Sequence, residues 1–283
     1  MGKIPIEALI NRYSSDIANF FFPQDYYHGG KYNFLHWHGI NLTQNTGARD
    51  PVRLQQFYTN QKIVASFKNY IKILLTHVNP LTNLTYAEDP TIFAYETGNE
   101  LSGPVFGDMD VPASWIEDIG SYVKSLGPKK LFVDGTAGVS SAHLAINSVD
   151  IFTDHFYPVD IARLQKGLAR VATVKKSYFV GEYEWSGKDL TQWLKVIEDS
   201  PYAIGNVFWS LFGRNLPDCS TWVDHSDGHT MKYGFPGNSD LITSRMKQLR
   251  QHFIKMTRGE TISANATLPL VPCPAPTAPP TRR

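Results

Sequence analysis

Three observations in this 283-residue sequence predict an α/β fold of the (β/α)8 barrel type. From residue 60 onward, short apolar runs rich in β-branched and aromatic residues alternate with segments of helical periodicity. That alternation is the pattern of a parallel sheet with right-handed crossovers. Two of the short runs end in a glutamate, Glu100 in Tyr95-Glu96-Thr97-Gly98-Asn99-Glu100 and Glu182 in Phe179-Val180-Gly181-Glu182-Tyr183. Parallel barrels draw their reacting groups from the C-terminal ends of different strands, while residues earlier in each strand fill the core. Finally, 42% hydrophobic and 19% charged residues over this length suit one domain with a large core.

The elements follow in order. Ile63, Val64, Phe67, Ile71, Leu74 and Leu75 fall at helical spacing and predict a helix over 62–77, ended near Asn79-Pro80. A strand follows over 91–96. Trp115, Ile116, Ile119 and Val123 give a helix over 114–125. Strands are expected at 130–133, ending at Asp134-Gly135, and at 149–152, ending at Asp154-His155-Phe156-Tyr157-Pro158. A helix over 159–172, a strand over 177–181 and a helix over 189–199 continue the pattern. A strand over 203–212, a long Gly/Asp/His-rich loop and a helix over 241–256 complete it. Ile17 to Phe22 is a possible sixth strand. Five strands are clear and a closed barrel needs eight, so the expectation is an incomplete barrel whose first two strands are not found. The domain is expected to occupy 1–262, followed by a proline-rich tail over 263–283.

Bulk properties narrow the function. The net charge of +1 gives no electrostatic case for nucleic acid or for an anionic membrane. No run approaches the 18 or so apolar residues of a membrane span. Aromatic residues make up 13% of the chain and cluster in stretches such as Phe20 to Tyr32. Exposed rings are platforms for the C–H faces of sugars, although they also pack beneath long loops. Three acceptor sequons, at Asn41, Asn83 and Asn265, point toward secretion, while Met1 to Ser15 has no apolar signal-peptide core. The two cysteines, Cys219 and Cys273, are enough for one bridge but do not diagnose a compartment.

The chemistry lies in the two glutamates. Carboxylates about 5 Å apart across a sugar can protonate the leaving oxygen and attack the anomeric carbon, which is retaining glycoside hydrolysis. His155 and Tyr157, two residues apart, share a face, and the tyrosine hydroxyl can hold a nucleophilic carboxylate ionised and aimed. Asn99 can donate to the sugar 2-hydroxyl as the oxocarbenium ion develops. Trp209, in Val207-Phe208-Trp209-Ser210, is either the floor beneath the sugar or a large core residue. Glu184 competes with Glu182 for the nucleophile role, since residues i and i+2 share a strand face. Glu182 is preferred because it follows Gly181 at the strand end. Neither a cofactor nor a metal is expected.

Taken in order, these segments resemble glycoside hydrolase family 5, in particular the fungal endo-β-1,4-mannanases. Asp89 to Glu100 is similar to that family's fourth strand with its Asn-Glu pair. Phe57-Tyr58-Thr59-Asn60 and Asp25 to Gly30 resemble its loop after the third strand. Asp154-His155-Phe156-Tyr157, Gly181-Glu182-Tyr183 and Phe208-Trp209-Ser210 resemble its sixth, seventh and eighth strands, over residues 25 to about 260 in all. The resemblance implies Glu100 as acid/base, Glu182 as nucleophile, and Asn99, His155, Tyr157 and Trp209 as substrate-binding residues. It also implies a cis bond after Trp209, a polysaccharide or oligosaccharide partner, an extracellular setting and a monomeric barrel if complete. A counterpart of the family's arginine near the second strand is missing. The competing expectations are a non-catalytic carbohydrate-binding relic, a hydrolase of another β-linked glycan, and a structural α/β domain whose glutamates are surface charges.

Overall fold

Successive strands lie side by side in chain order. β1 (Ala94–Glu96), β2 (Leu131–Asp134), β3 (Ile151–Phe156), β4 (Ser177–Tyr183) and β5 (Ala203–Asn206) pair in parallel, each with the next. This is the wall of a (β/α)8 barrel, and five of its strands fall among the described residues. The computed structural model describes residues 30–43, 50–101, 111–136, 138–187, 189–215, 219–223, 228–263 and 266–269. The possible strand at Ile17 to Phe22, the segment Asp25 to Gly29 and the end of the tail from residue 270 lie outside them.

The helices form where the periodicity placed them. α1 (Lys31–Trp37), α2 (Pro51–Leu54) and α3 (Gln56–Thr59) precede α4 (Gln61–Thr76), whose Ile63, Val64, Phe67, Ile71 and Leu75 are buried. Asn60 caps α4 by accepting from the Lys62 N–H, which satisfies one of the helix's orphan donors. α5 (Ala113–Leu126) buries Trp115, Ile116, Ile119 and Val123 against the sheet. α6 (Ile161–Thr173) and α7 (Thr191–Asp199) cover β3 to β5. After the short strands β6 (Leu211–Phe212) and β7 (Met231–Lys232) comes α8 (Asp240–Arg258). Ser239 caps its start and Gly259, at φ +69°, ends it in the left-handed conformation that favours glycine. None of the helices is long and apolar enough to cross a membrane, among the described residues.

Strand alternation divides the apolar residues into two layers. Phe132, Phe152, Tyr178, Val180 and Tyr183 face outward into one large core shared with the helices. Val133, Ile151 and Phe179 face inward and form a separate small cluster. α1 to α3 carry no sequence periodicity, yet they bury Tyr32, Phe34, Leu35, Phe57 and Tyr58. Phe34 and Phe57 each lie 5.4 Å from Phe67 of α4, and Phe67 lies 5.7 Å from Trp115 of α5. The aromatic residues at 57 and 58 are therefore core residues on a helical turn, not part of an open loop.

Two strand boundaries differ most from the sequence expectation. The strand expected to stop at 152 runs to Phe156, because its ladder with β4 continues through His155 and Phe156. His155 therefore lies within the strand, and Tyr157 just beyond it. The strand expected over 203–212 stops at Asn206. Beyond it the backbone changes partners: Ser210 N–H donates to His229 O, and Met231 N–H donates back to Ser210 O. Cys219 is disulfide-bonded, and the sequence's other cysteine, Cys273, lies outside the described residues.

Trp193 of α7 is fully buried, with its ring 4.6 Å from Phe156 and 5.8 Å from Tyr183. We expect Trp193→Ala to cost about 3–5 kcal/mol in urea denaturation. A loss below about 1 kcal/mol would show that the outer layer does not depend on it.

Candidate active site

Glu100 is held by the turn after β1. The chain leaves the strand through Thr97 and Gly98, and Glu100 itself sits at φ +50°, an uncommon conformation for a residue with a side chain. Neighbouring loops hold it there. Thr97 Oγ1 accepts from Gly135 N–H at 2.8 Å, Leu101 N–H donates to Gly135 O, and the Tyr58 hydroxyl donates to Leu101 O at 3.2 Å. A Cβ at residue 135 would lie 1.9 Å from Gly98 O, so only glycine permits this approach of the β1 and β2 loops. Glu100 is 9% exposed.

β3 and β4 bring the other groups to the same place. His155 Nδ1 lies 2.7 Å from Glu100 Oε1 and 3.7 Å from Glu182 Oε2. Ligating atoms of Glu100, His155 and Glu182 all fall within 4.8 Å of one another. The Tyr157 hydroxyl donates to Glu182 Oε2 at 2.6 Å. Burial alone would lower the basicity of His155, but the charges of Glu182, Glu100 and Glu96 and the hydrogen bond to Glu100 outweigh it. They raise its pKa to about 9. The ring is thus an imidazolium at neutral pH, and its Nδ1–H donates to Glu100. The three residue types are also those of a metal site.

The remaining sequence-derived residues fall around this trio. Asn99 is half-buried just before Glu100, and its side-chain amide makes no hydrogen bond within the described residues. Trp209 is half-buried, its N–H donates to Tyr183 O, and its bond to Ser210 is cis. Glu184 takes no part in the cluster and instead accepts from Ser186 Oγ at 3.2 Å. Three contributors escaped the sequence reading. Glu96 adds charge near His155, and alternation along β1 does place it on the inner face with Ala94. The Tyr58 hydroxyl braces the Glu100 turn, and the His229 ring lies 5.3 Å from that of Tyr157. Nothing in the local sequence pattern marks Tyr58 or His229 for these positions.

The raised pKa of His155 couples the site to stability. A group whose folded pKa exceeds its unfolded value stabilises the fold fully below the unfolded pKa and loses that contribution as pH rises through the folded pKa. The window here runs from about 6.5 to about 9. We expect the His155 imidazole to titrate near the top of this window by NMR, and His155→Gln to remove the corresponding fall in urea stability. Titration near 6.5 would contradict the assigned charge.

Comparison with known proteins places this chain in a family. A family model described as GH family 5 beta-mannosidase-like matches residues 17–192. A mannan endo-1,4-beta-mannosidase 8 of Oryza sativa subsp. japonica is 32% identical over 138 residues, covering 47% of this chain and 34% of the relative. A mannan endo-1,4-beta-mannosidase 1 of the same plant is 24% identical over 281 residues, covering 78% of this chain and 61% of the relative. The match thus spans about a third to three fifths of these relatives' lengths. Among solved structures, the endo-beta-1,4-mannanase from Thermotoga petrophila superposes with a TM-score of 0.66 at 21% identity, covering 87% of this chain and 58% of the other. The Endo-1,4-beta-mannanase from Rhizomucor miehei gives 0.63 at 23%, covering 86% and 71%. These likenesses establish the barrel fold, and with the family match over residues 17–192 the chain belongs to the β-mannosidase-like group of glycoside hydrolase family 5.

Proposed function

We propose that this protein is an endo-acting glycosidase that cleaves β-1,4-mannosidic linkages in mannan-type polysaccharides with retention of configuration. The observation that carries the reading is that one carboxylate oxygen of Glu100 lies within 4.8 Å of one of Glu182. Retaining enzymes hold their two carboxyl groups about 5–5.5 Å apart, whereas inverting enzymes need about 6.5–9.5 Å to admit a water. The mannan-cleaving names of the relatives supply the substrate class. Residues 1–262 form the catalytic unit in this reading and 263–283 its tail. A polymeric substrate sets the reaction outside the cell, in keeping with the three sequons. The barrel acts as a monomer.

In the first step, which uses the form of the site with a proton on Glu100 as well as on His155, Glu182 attacks the anomeric carbon while the bond to the leaving oxygen breaks and Glu100 gives that oxygen its proton. Tyr157, donating to Glu182, orients the attacking carboxylate. Glu100 becomes an anion as the proton leaves, and the His155 imidazolium beside it stabilises that charge where it forms. In the second step Glu100 takes a proton from water, whose oxygen attacks the anomeric carbon and releases Glu182. Asn99, beside Glu100, donates to the sugar 2-hydroxyl, and Trp209 supplies the floor beneath the ring. Both steps balance with the chain's own carboxylates and water.

Glu100→Gln and Glu182→Gln should each lower kcat on β-1,4-mannan by about 10²–10⁴-fold or more, with the fold unchanged. Activity within tenfold of the unmodified chain would remove the variant's residue from the mechanism. A fluorinated mechanism-based mannoside should label Glu182, and label found on Glu184 would reassign the nucleophile. Tyr157→Phe removes a hydrogen bond to a charged acceptor, worth about 1.5–3 kcal/mol, and should cost about tenfold or more in kcat.

A further inference from the structure

We propose that Gly181 is a positioning residue for the carboxylate pair: it forms a one-residue bulge that turns Glu182 inward, and its missing side chain leaves His155 room between the two glutamates. This rests on the reading of Glu182 as nucleophile. The register carries the first half of the argument. β3 and β4 pair Thr153 with Phe179 and Asp154 with Val180, then His155 with Glu182 and Phe156 with Tyr183. Gly181 is left without a partner, the extra residue of a bulge. Paired residues of parallel strands point to the same side of the sheet. Asp154 and Phe156 face outward, where they meet Arg163 of α6 and Trp193 of α7. In unbroken register Glu182 would lie opposite Phe156 and face Trp193. The bulge places it opposite His155 instead.

The next residue fixes the result. Tyr183 faces outward, fully buried, and its hydroxyl donates to Asn206 Oδ1 at 3.0 Å. The Asn206 amide in turn lies 2.8 Å from His252 Nε2 of α8. Glu182 therefore projects from a backbone bulged just before it and anchored just after it.

Packing carries the second half. A Cβ at residue 181 would lie 2.5 Å from Thr153 Oγ1, 2.7 Å from His155 Nε2 and 2.9 Å from His155 Cδ2. Real Cβ atoms essentially never come under 3.0 Å, so the imidazole would have to move. That ring is the one within 2.7 Å of Glu100 and 3.7 Å of Glu182. Gly181 is not among the residues with positive φ, so alanine fits its backbone and the substitution probes space alone.

The test compares Gly181→Ala with the unmodified chain. A displacement of about 1 Å at a catalytic group costs on the order of 10²-fold in rate. The expected result is a folded variant whose kcat on mannan falls tenfold to a hundredfold, about, with KM little changed and the limbs of the pH profile moved. Without substrate, the NMR titration midpoint of His155 should drop in the variant. A folded variant with unchanged kcat, pH profile and His155 midpoint would overturn the proposal. If the unmodified chain hydrolyses no mannan, the proposed function fails while the imidazole titration still decides the packing claim. If Gly181→Ala does not fold, Thr153→Ala/Gly181→Ala removes the Oγ1 contact and leaves the clash with His155. That double variant should keep the rate loss, and full activity in it would count against the proposal. An experimental structure of the unmodified chain pairing His155 with Gly181 would overturn it outright.

Discussion

Two carboxylates within 4.8 Å of each other in a site largely closed to water repel strongly unless a cation lies between them. His155 is that cation. Its ring hydrogen-bonds Glu100 and approaches Glu182, and the negative field of Glu182, Glu100 and Glu96 outweighs the effect of burial and keeps a proton on it. The arrangement is mutual: the carboxylates hold the proton on the imidazole, and the imidazolium keeps the carboxylates close. Removing the imidazolium leaves the two carboxylates facing each other with no cation between them, which is why the site behaves as a unit.

The surrounding fold is organised so that these three side chains meet. Parallel strands in sequential order place the ends of β1, β3 and β4 within reach, and the outward-facing aromatic layer packs the strands against α6 and α7. The irregular features lie next to the charges. Glu100 adopts a left-handed backbone, the β1 and β2 loops touch through Gly135, and the β3–β4 ladder slips by one residue at Gly181. Regular structure supplies the stability, and local departures from it aim the three charged groups.

Much of this was legible in the sequence. Helices at 62–77, 114–125 and 159–172 announced themselves because one face of each packs on the sheet and so repeats every 3.6 residues. The strand-end glutamates stood out for a similar reason, since charge at the end of an apolar run is informative. Less legible was anything decided by contacts distant in sequence. Phe57 and Tyr58 sit on a single helical turn, too short for periodicity, and owe their burial to Phe67 and Trp115. The end of β5 depends on Ser210 donating to His229 O and accepting from Met231 N–H across a long loop. The charge of His155 depends on three glutamates brought together by the fold, which a His-x-Tyr pattern alone does not reveal.

The central claim is that Glu100 and Glu182 act as a closely spaced acid/base and nucleophile. The stereochemistry of the first-formed product tests it most directly. Proton NMR of a manno-oligosaccharide digest, recorded before mutarotation, reads the configuration of the new reducing end. The account predicts the β-anomer, retained through two displacements at the anomeric carbon. Initial release of the α-anomer would require a single displacement by water, and would contradict the carboxylate geometry on which the account rests.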